Sequence, residues 1–334
     1  MENLTKGIWL MKFGFSRVAV SLLLGLAVMS GCSKTNHPAN QTSSSKPTSQ
    51  VKPSTNQVKH SVAERKTNSR TDLVQHDIRL SEERCIASAS GQTSVYAVDL
   101  KNKQPVMVHN RSQRSASVIK LFIMVEAFRQ IKSDRLTLNQ EVSIPKTDQV
   151  GGTGELAHQN VNQLSLIRLL TLMIRNSDNT ATNVLIDRLG GLNVINNEIK
   201  RLGCTDTQLQ RKMLDYQSLK NGKDNMTSVK DVGNLLVKLE QHSVLGDPYD
   251  AEMLQLLRYN ANQSKLPALI NQKATVFNKT GEFPDYGVQN DAAIVKKGNQ
   301  AFVVVVLSQH GNESKQVGAM QQLGKQLYTI YFSK

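Results

Sequence analysis

The apolar residues divide the chain into two groups of strands with a long helical region between them. Short apolar runs rich in β-branched residues predict five strands, at residues 94–100, 105–109, 274–279, 291–295 and 301–307. Polar segments at 101–103 and 296–300 predict hairpin turns within each group. Because hairpins join antiparallel strands, the strands are expected to form an antiparallel sheet.

Apolar residues at helical spacing fill the region between the two groups of strands. The clearest helices are predicted at 164–175, 179–189, 192–202 and 228–239, with further helices at 72–88 and after residue 317. The sequence therefore predicts an α+β fold of two lobes. One lobe is a five-stranded antiparallel sheet with terminal helices, and the other is an all-helical insert at about 115–262.

One predicted helix is apolar on nearly every side, which is typical of a buried helix. It runs from Val118 to Phe128 and is interrupted by Lys120 and Glu126. A buried lysine loses its proton easily, and Ser117 lies one turn before Lys120, about 5–6 Å away between Cβ atoms. A neutral lysine at that distance can activate a serine as a nucleophile. A capping serine beside a lysine that reaches solvent is the structural alternative.

The N-terminus has the pattern of an export signal. Lys6, Lys12 and Arg17 precede an apolar run at 18–29, which is too short for an ordinary membrane-spanning helix. The run ends in Met-Ser-Gly-Cys32, which resembles a bacterial lipobox. Residues 1–32 are therefore predicted to be a lipoprotein signal peptide. The mature protein is expected outside the cell membrane and anchored through a lipid on Cys32, with a plain signal anchor as the alternative.

Residues 33–70 are polar, rich in Ser and Thr, and predicted to form a disordered linker. They carry seven basic residues and one acidic residue, so much of the net charge of +14 lies outside the folded domain, which is predicted at 71–334. A basic tether beside an anionic membrane is consistent with the anchor. Nucleic acid is not an expected partner, because the signal directs the protein outside the cell.

The remaining composition excludes several kinds of chemistry. The chain has no zinc-protease motif, paired-cysteine motif or phosphate-binding loop, so neither a metal nor a cofactor is expected. Cys85 and Cys204 lie in the predicted domain, and the sequence leaves open whether they pair. Two separate thiols are the simpler expectation. The protein is expected to be a monomer.

Three short motifs occur in order along the predicted domain: Ser117-x-x-Lys120, Ser177-Asp-Asn179 and Lys279-Thr-Gly281. Each has a structural explanation when taken alone, such as a helix cap or a glycine at a strand end. Together they form the set found in class A β-lactamases and penicillin-binding proteins. From about residue 71 onward the chain resembles this family of penicillin-recognising serine hydrolases.

The resemblance implies a role for each residue of the first two motifs. Ser117 is the nucleophile that becomes acylated, and Lys120 is its base. Ser177 passes a proton to the leaving nitrogen, while Asn179 holds the substrate amide and Lys120.

The third motif and the residue after it are implied to bind the substrate. Lys279 supplies positive charge, Thr280 binds the substrate carboxylate, and Gly281 lets the ligand approach closely. The backbone N–H groups of Ser117 and Glu282 form the oxyanion hole. The expected ligand is a β-lactam or a peptide ending in D-Ala-D-Ala.

The chain departs from the family pattern in three places. The Glu that activates the deacylating water in the lactamases is replaced by Met213, and Asp215 is the best substitute nearby. The last arginine is Arg258, so an arginine clamp for the substrate carboxylate is missing after the third motif. Glu282 is unusual beside an anionic ligand and is expected to point to solvent.

Three functions remain open at this point. The first is a β-lactamase-type hydrolase that forms an acyl-enzyme and releases it slowly, because the activating Glu is absent. The second is a D,D-carboxypeptidase or transpeptidase that acts on peptidoglycan stems. The third is a non-catalytic sensor or decoy that becomes acylated and stays so.

Overall fold

The computed structural model describes residues 55–332, with side chains from residue 71 onward. The predicted signal peptide, the lipidation site at Cys32 and the first part of the linker lie outside the described residues. The helices are α1 Thr55–Ala89, α2 Lys120–Lys132, α3 Leu166–Arg175, α4 Asn179–Arg188, α5 Leu192–Arg201, α6 Tyr216–Lys220, α7 Val229–Glu240, α8 Tyr249–Arg258 and α9 Glu313–Phe332. The strands are β1 Gln92–Asp99, β2 Val106–Val108, β3 Gln113–Arg114, β4 Glu141–Ser143, β5 Gln163–Ser165, β6 Met226–Thr227, β7 Thr275–Phe283, β8 Val288–Lys297 and β9 Gln300–Gln309.

The main sheet has five antiparallel strands in the order β2-β1-β9-β8-β7, which confirms the predicted architecture. Its central strand, β9, is buried on both faces. Val303, Val305 and Leu307 belong to the core shared with the helical lobe. Phe302, Val304 and Val306 belong to a second core formed with α1 and α9. Successive side chains of a strand point to opposite faces, so this continuous apolar run reflects a sheet that is covered on both sides.

The first helix is longer than the sequence predicted. Helix α1 begins at Thr55, whereas the folded domain was expected to begin near Thr71. Residues 55–70 contain no proline, which would interrupt the helix. Residues 55–70, which the sequence predicted as part of the linker, have a helical backbone in the structure. Further along, α1 packs against α9 and β1.

The region between the strand groups is mainly helical, as predicted. Helix α2 lies at its centre, and its residues from Lys120 to Phe128 are all buried. Two small ribbons, β3–β6 and β4–β5, occur in this region and were not predicted, since strands of two or three residues have no clear periodicity.

In the described part of the chain, no helix is both long enough and apolar enough to cross a membrane. Cys85 and Cys204 are free thiols, the first buried and the second half-buried.

We predict that Gly233→Ala destabilises the domain although alanine is the better helix former. Gly233 lies within α7, and a Cβ there would stand 2.6 Å from the ring of Tyr96. Overpacking of this kind costs about 1–3 kcal/mol, which exceeds the gain of about 1 kcal/mol in helix propensity. Thermal unfolding measures the effect, and a lower midpoint is expected.

The matched control is Gly318→Ala in α9, where a Cβ would meet nothing within 4 Å. This variant should raise the unfolding midpoint, because only the propensity term remains. Equal shifts of the same sign in both variants would contradict the packing argument.

Candidate active site

Ser117 lies in a short 3₁₀ turn, Ala116–Ile119, that leads directly into α2. The turn packs against strand β7, and the closest approach occurs at Gly281. A Cβ on Gly281 would stand 2.9 Å from the carbonyl oxygen of Ser115 and 3.0 Å from the backbone nitrogen of Ser117. Glycine at this position therefore allows the edge of the sheet to contact the backbone of the turn, in addition to any role toward a ligand.

The ammonium of Lys120 lies one turn beyond Ser117 and has no exposure to solvent. Its Nζ donates to the carbonyl oxygen of Ser177 at 2.7 Å, to the Oδ1 of Asn179 at 3.0 Å and to the Oγ of Ser177 at 3.3 Å. Burial, and then the nearby charge of Lys279, holds the pKa of Lys120 well below its ordinary value. This direction favours the neutral amine, which is the form that can accept a proton. It does not reach solvent, and no side chain caps α2, so the structural alternative for this motif is excluded.

The second motif forms the turn that faces Lys120. Ser177 has a left-handed backbone with φ of 54°, which directs both its carbonyl and its hydroxyl toward the lysine. Asp178 caps α4 by accepting the backbone N–H of Ala181 at 2.8 Å. Thr153, from the loop before α3, donates its hydroxyl to the Ser177 carbonyl at 2.8 Å. The strained residue is thus held from both sides.

The third motif lies on β7, at the edge of the sheet next to the helical lobe. Lys279 is buried and donates to the Oγ of Ser177 at 3.1 Å and to the carbonyl oxygen of Thr280 at 2.7 Å. Its pKa is lowered to about 7, chiefly by burial; the carboxylate of Glu282 opposes this shift, and the charge of Lys265 adds to it. Ser177 is therefore bonded to both lysines, and the three motifs meet around its hydroxyl.

A cavity of about 320 Å³ opens beside these motifs. Ser117, Asn179 and Glu282 line it among the predicted site residues. Much of the rest of the wall is apolar and comes from Met213, Leu214, Tyr216, Phe283 and Pro284.

Glu282 does not simply point to solvent, so that expectation is corrected. Its side chain is 35% exposed, but its Oε1 lies 2.9 Å from the Nζ of Lys265 and accepts from the Nδ2 of Asn262 at 2.8 Å. An ammonium as buried as Lys265 needs a partner, and the glutamate next to Gly281 is within reach.

Met213 lies on the cavity wall and is only 7% exposed. Its backbone is fixed by Asn183, which accepts from the Met213 N–H at 2.8 Å and donates to its carbonyl oxygen at 3.2 Å. The side chain at this position is therefore well placed beside the site, but a thioether cannot act as a base at neutral pH.

Asp215, the predicted substitute for the missing Glu, lies at the N-terminus of α6. It caps α6, accepting from the backbone N–H of Ser218 at 2.9 Å and from its hydroxyl at 2.6 Å. These two bonds lower the pKa of the Asp215 carboxylate. Leu214 and Tyr216 line the cavity on either side of it, while the carboxylate is directed to its own helix. A group that is bonded in this way is a poor base for a water in the cavity.

Several residues that support the site were missed by the sequence analysis. Asp224 pairs with both Arg114 and Arg211, which ties the segment before α6 to the strand that leads into the Ser117 turn. Lys265 lies in an irregular segment after α8 and pairs with a residue seventeen positions later. No spacing rule links such partners, so only the folded structure brings them together.

The described residues contain no cluster of three or more His, Cys, Asp or Glu side chains that could hold a metal ion. The polar residues that line the cavity include Ser117, Asn179 and Glu282, and the buried Lys120 donates to the Asn179 side chain. They are suited to proton transfer and to hydrogen bonding of an amide substrate.

A model of the beta-lactamase enzyme family matches residues 79–331, which include all three motifs. The chain belongs to this family. It is 28% identical over 225 residues to β-lactamase CTX-M-97 of Escherichia coli, covering 66% of this chain and 76% of that protein. It is 26% identical over 192 residues to β-lactamase SME-1 of Serratia marcescens, covering 57% of this chain and 65% of that protein.

Several solved structures share the fold of this chain. The structure of PBP-A is 26% identical with a TM-score of 0.68, covering 77% of this chain and 94% of PBP-A. A variant of PBP-A, solved as an acyl-enzyme complex with penicillin G, gives a TM-score of 0.69 at the same identity, over 77% of this chain and 96% of the variant. A β-lactamase from Sphaerobacter thermophilus, at 24% identity and over 76% of this chain and 96% of that one, supports the fold with a TM-score of 0.70. This protein is thus a serine hydrolase of the class A β-lactamase type.

Proposed function

We propose that this enzyme forms an acyl-enzyme with β-lactams through Ser117 and releases it slowly. The observation that carries the proposal is the position of Lys120, whose buried Nζ donates to three acceptors one turn from a serine on the cavity wall. Burial lowers the pKa of Lys120, which makes the neutral amine available as a base.

In the proposed acylation, Lys120 takes the proton of Ser117 as the Oγ attacks the lactam carbonyl carbon. The backbone N–H groups of Ser117 and Glu282 stabilise the oxyanion that develops. When the C–N bond breaks, the proton passes through the hydroxyl of Ser177 to the leaving nitrogen. The 3.3 Å contact of this hydroxyl with Lys120 supports the relay.

Binding of the substrate is proposed to use the remaining motif residues. Asn179 holds the substrate amide, while Lys279 and Thr280 receive the carboxylate of the β-lactam. Gly281 keeps the edge of β7 close to the Ser117 turn, in agreement with its contact with the Ser117 backbone. This short separation is proposed to serve both substrate binding and the oxyanion hole.

Release of the acyl group is proposed to be slow because Met213 occupies the wall where a general base would activate water. General acid–base assistance typically contributes roughly 10²–10⁴-fold to such a step. Since Asp215 is committed to capping α6, it does not replace the missing base.

The penicillin-binding alternative is a D,D-carboxypeptidase or transpeptidase that acts on peptidoglycan stems, and a sensor or decoy is its non-catalytic counterpart. Met213 favours both over a fast lactamase, because they need no water-activating glutamate. Turnover of a D-Ala-D-Ala peptide by the purified domain would support the first of them.

The first test is covalent labelling by a fluorescent penicillin, followed by the time course of release. Covalent labelling of the protein should reach about one equivalent before slow turnover of the penicillin follows. Ser117→Ala should abolish the labelling.

Met213→Glu should speed release of the acyl group, because it places a carboxylate on the cavity wall. Asp215→Asn is the matched control and should leave release unchanged, since asparagine also caps helices well. Undiminished labelling of Ser117→Ala would refute the assignment, and fast turnover without a burst would refute slow release.

The second test uses the pKa of Lys279, which is about 7 and is lowered chiefly by burial. The ammonium is present below this pH and lost above it, so attraction for a substrate carboxylate weakens as the pH rises through 7. The second-order rate constant for acylation by benzylpenicillin should therefore fall above pH 7, by up to about tenfold per pH unit.

Lys279→Arg is the control for this pH dependence, because arginine keeps its charge throughout the range. The fall should disappear in this variant, and it should be absent in the unaltered protein when the ligand is the methyl ester of benzylpenicillin. An identical fall for the acid and the ester would contradict the role of Lys279.

We further propose that the protein is exported and anchored through a lipid on Cys32. Support comes from the basic residues, the apolar run and the Met-Ser-Gly-Cys sequence near the N-terminus. Metabolic labelling with a radioactive fatty acid should mark the protein, and Cys32→Ala should remove the label. Label that persists on the variant would exclude this anchor.

A further inference from the structure

Asn290 is a buried amide on β8 that bonds the backbone just before the Ser117 turn. Its Nδ2 donates to the carbonyl oxygen of Arg114 at 2.9 Å and to that of Ser115 at 3.1 Å. Its Oδ1 accepts from the backbone N–H of Ser308 at 3.0 Å, and the residue has no exposure to solvent. Both N–H groups and the oxygen of the amide are therefore bonded, which fixes the orientation of the side chain.

The turn contains a strained residue next to these contacts. Ala116 has a left-handed backbone with φ of 43°, and such a residue persists where its surroundings hold it in place. On one side, Ser115 donates its backbone N–H to the carbonyl oxygen of Asn225 at 2.9 Å. On the other side, Asn290 bonds the Ser115 carbonyl. The next peptide bond along the chain carries the N–H of Ser117, so these contacts determine where that N–H points.

The same residue also connects the turn to β7. Asn290 pairs with Gly281 in the β7–β8 register, and the residue after Gly281 is Glu282. The Asn290 side chain lies on the face of the sheet toward the helical lobe, as does Ala292 two positions later. Its backbone thus holds the strand that carries one proposed oxyanion donor, while its side chain holds the turn that carries the other, Ser117.

An oxyanion hole depends on such a separation being correct. Its donors must lie about 2.7–3.1 Å from the position that the oxyanion will occupy. A displacement of about 1 Å caused by a change away from the chemistry can slow a reaction about 10²-fold. Among the described residues that line the cavity, Asn290 is not one. An effect of Asn290 on the reaction must therefore act through the backbone that it bonds.

We infer that Asn290 is a positioning residue for the oxyanion hole, because it sets the distance between the N–H groups of Ser117 and Glu282. It acts on the step in which negative charge develops on the carbonyl oxygen, and the binding of the uncleaved ligand does not depend on it. The inference rests on the proposed acylation of Ser117 and identifies the side chain that holds the hole for that step.

The test measures acylation of Asn290→Ala by benzylpenicillin after rapid mixing. The dependence of the labelling rate on penicillin concentration gives the dissociation constant of the non-covalent complex and the acylation rate constant separately. The acylation rate constant should fall about tenfold to hundredfold, which is less than the roughly 10²–10³-fold loss on removing an oxyanion donor outright. The dissociation constant should stay within about threefold, since Lys279 and Thr280 are unaltered.

A boronic acid that carries the phenylacetamido group of benzylpenicillin provides a second measurement. The Ser117 Oγ bonds to boron as its proton passes to Lys120, and one boron oxygen of the tetrahedral adduct occupies the oxyanion hole. Analogues of the transition state report interactions that strengthen in that state. The affinity of Asn290→Ala for this compound should therefore fall by about the same factor as its acylation rate constant.

Gln316→Ala is the matched control. Gln316 is also fully buried, and its Nε2 donates to the carbonyl oxygen of Gly287 at 2.9 Å and to the Oγ of Ser308 at 2.8 Å. It belongs to α9, on the other face of the sheet. This variant should lose stability to thermal unfolding as Asn290→Ala does, but it should keep the acylation rate constant. Asn290→Ser is a milder change that retains one donor, and its acylation rate constant should lie between those of alanine and asparagine.

The outcomes separate this inference from the proposed function. Equal losses of the acylation rate constant in Asn290→Ala and Gln316→Ala would overturn the inference, because lower stability would then explain both. An unchanged acylation rate constant in both Asn290 variants, or a loss that lies entirely in the dissociation constant, would overturn it while leaving the acylation of Ser117 intact. Failure of the unaltered protein to be acylated would overturn the proposed function and the inference with it.

Discussion

The burial of the Lys120 ammonium is the constraint on which the site depends. A buried charge is costly unless it is hydrogen-bonded or loses its proton. Here the Lys120 Nζ has hydrogen-bond acceptors, and burial also lowers its pKa. Ser177 and Asn179 provide three acceptors from the opposite side of the site, which requires a left-handed backbone at Ser177. That strain is maintained by Thr153 and by the cap of α4. The helical lobe is therefore arranged so that one lysine can stay buried with hydrogen-bond acceptors for its Nζ.

The sequence predicted the sheet and the three motifs because both produce local patterns. The continuous apolar run of β9 and the spacing of Ser117 and Lys120 can be recognised without knowing what they contact. The early start of α1 was missed because the polar residues before residue 71 resemble a linker. The cap formed by Asp215 was missed because α6 has only five residues and none of them is buried, so no helical periodicity marks it. Polar partners with no fixed spacing, such as Lys265 and Glu282, become visible only when the chain has folded.

Three buried lysines surround the active-site turns, and their different partners give them different properties. Lys120 is bonded to neutral oxygens, so burial dominates and lowers its pKa. Lys279 is also bonded to neutral oxygens, but it lies near acidic residues that raise its pKa and limit the shift. Lys265 has a carboxylate in direct contact. The same side chain thus has a strongly lowered pKa, a pKa of about 7 and a carboxylate partner in three different environments.

The order of the strands has a consequence for the synthesis of the protein. Strand β9 lies between β1 and β8, so the sheet is incomplete until Gln300–Gln309 has left the ribosome. Its pairing with β1 joins Thr93 to Ser308, partners separated by most of the domain. Contacts this distant in sequence form late, because the loop must close before they stabilise anything. A nascent chain therefore carries every catalytic motif for some time before it has a sheet to hold them together, and a chain that is truncated before β9 cannot become an enzyme.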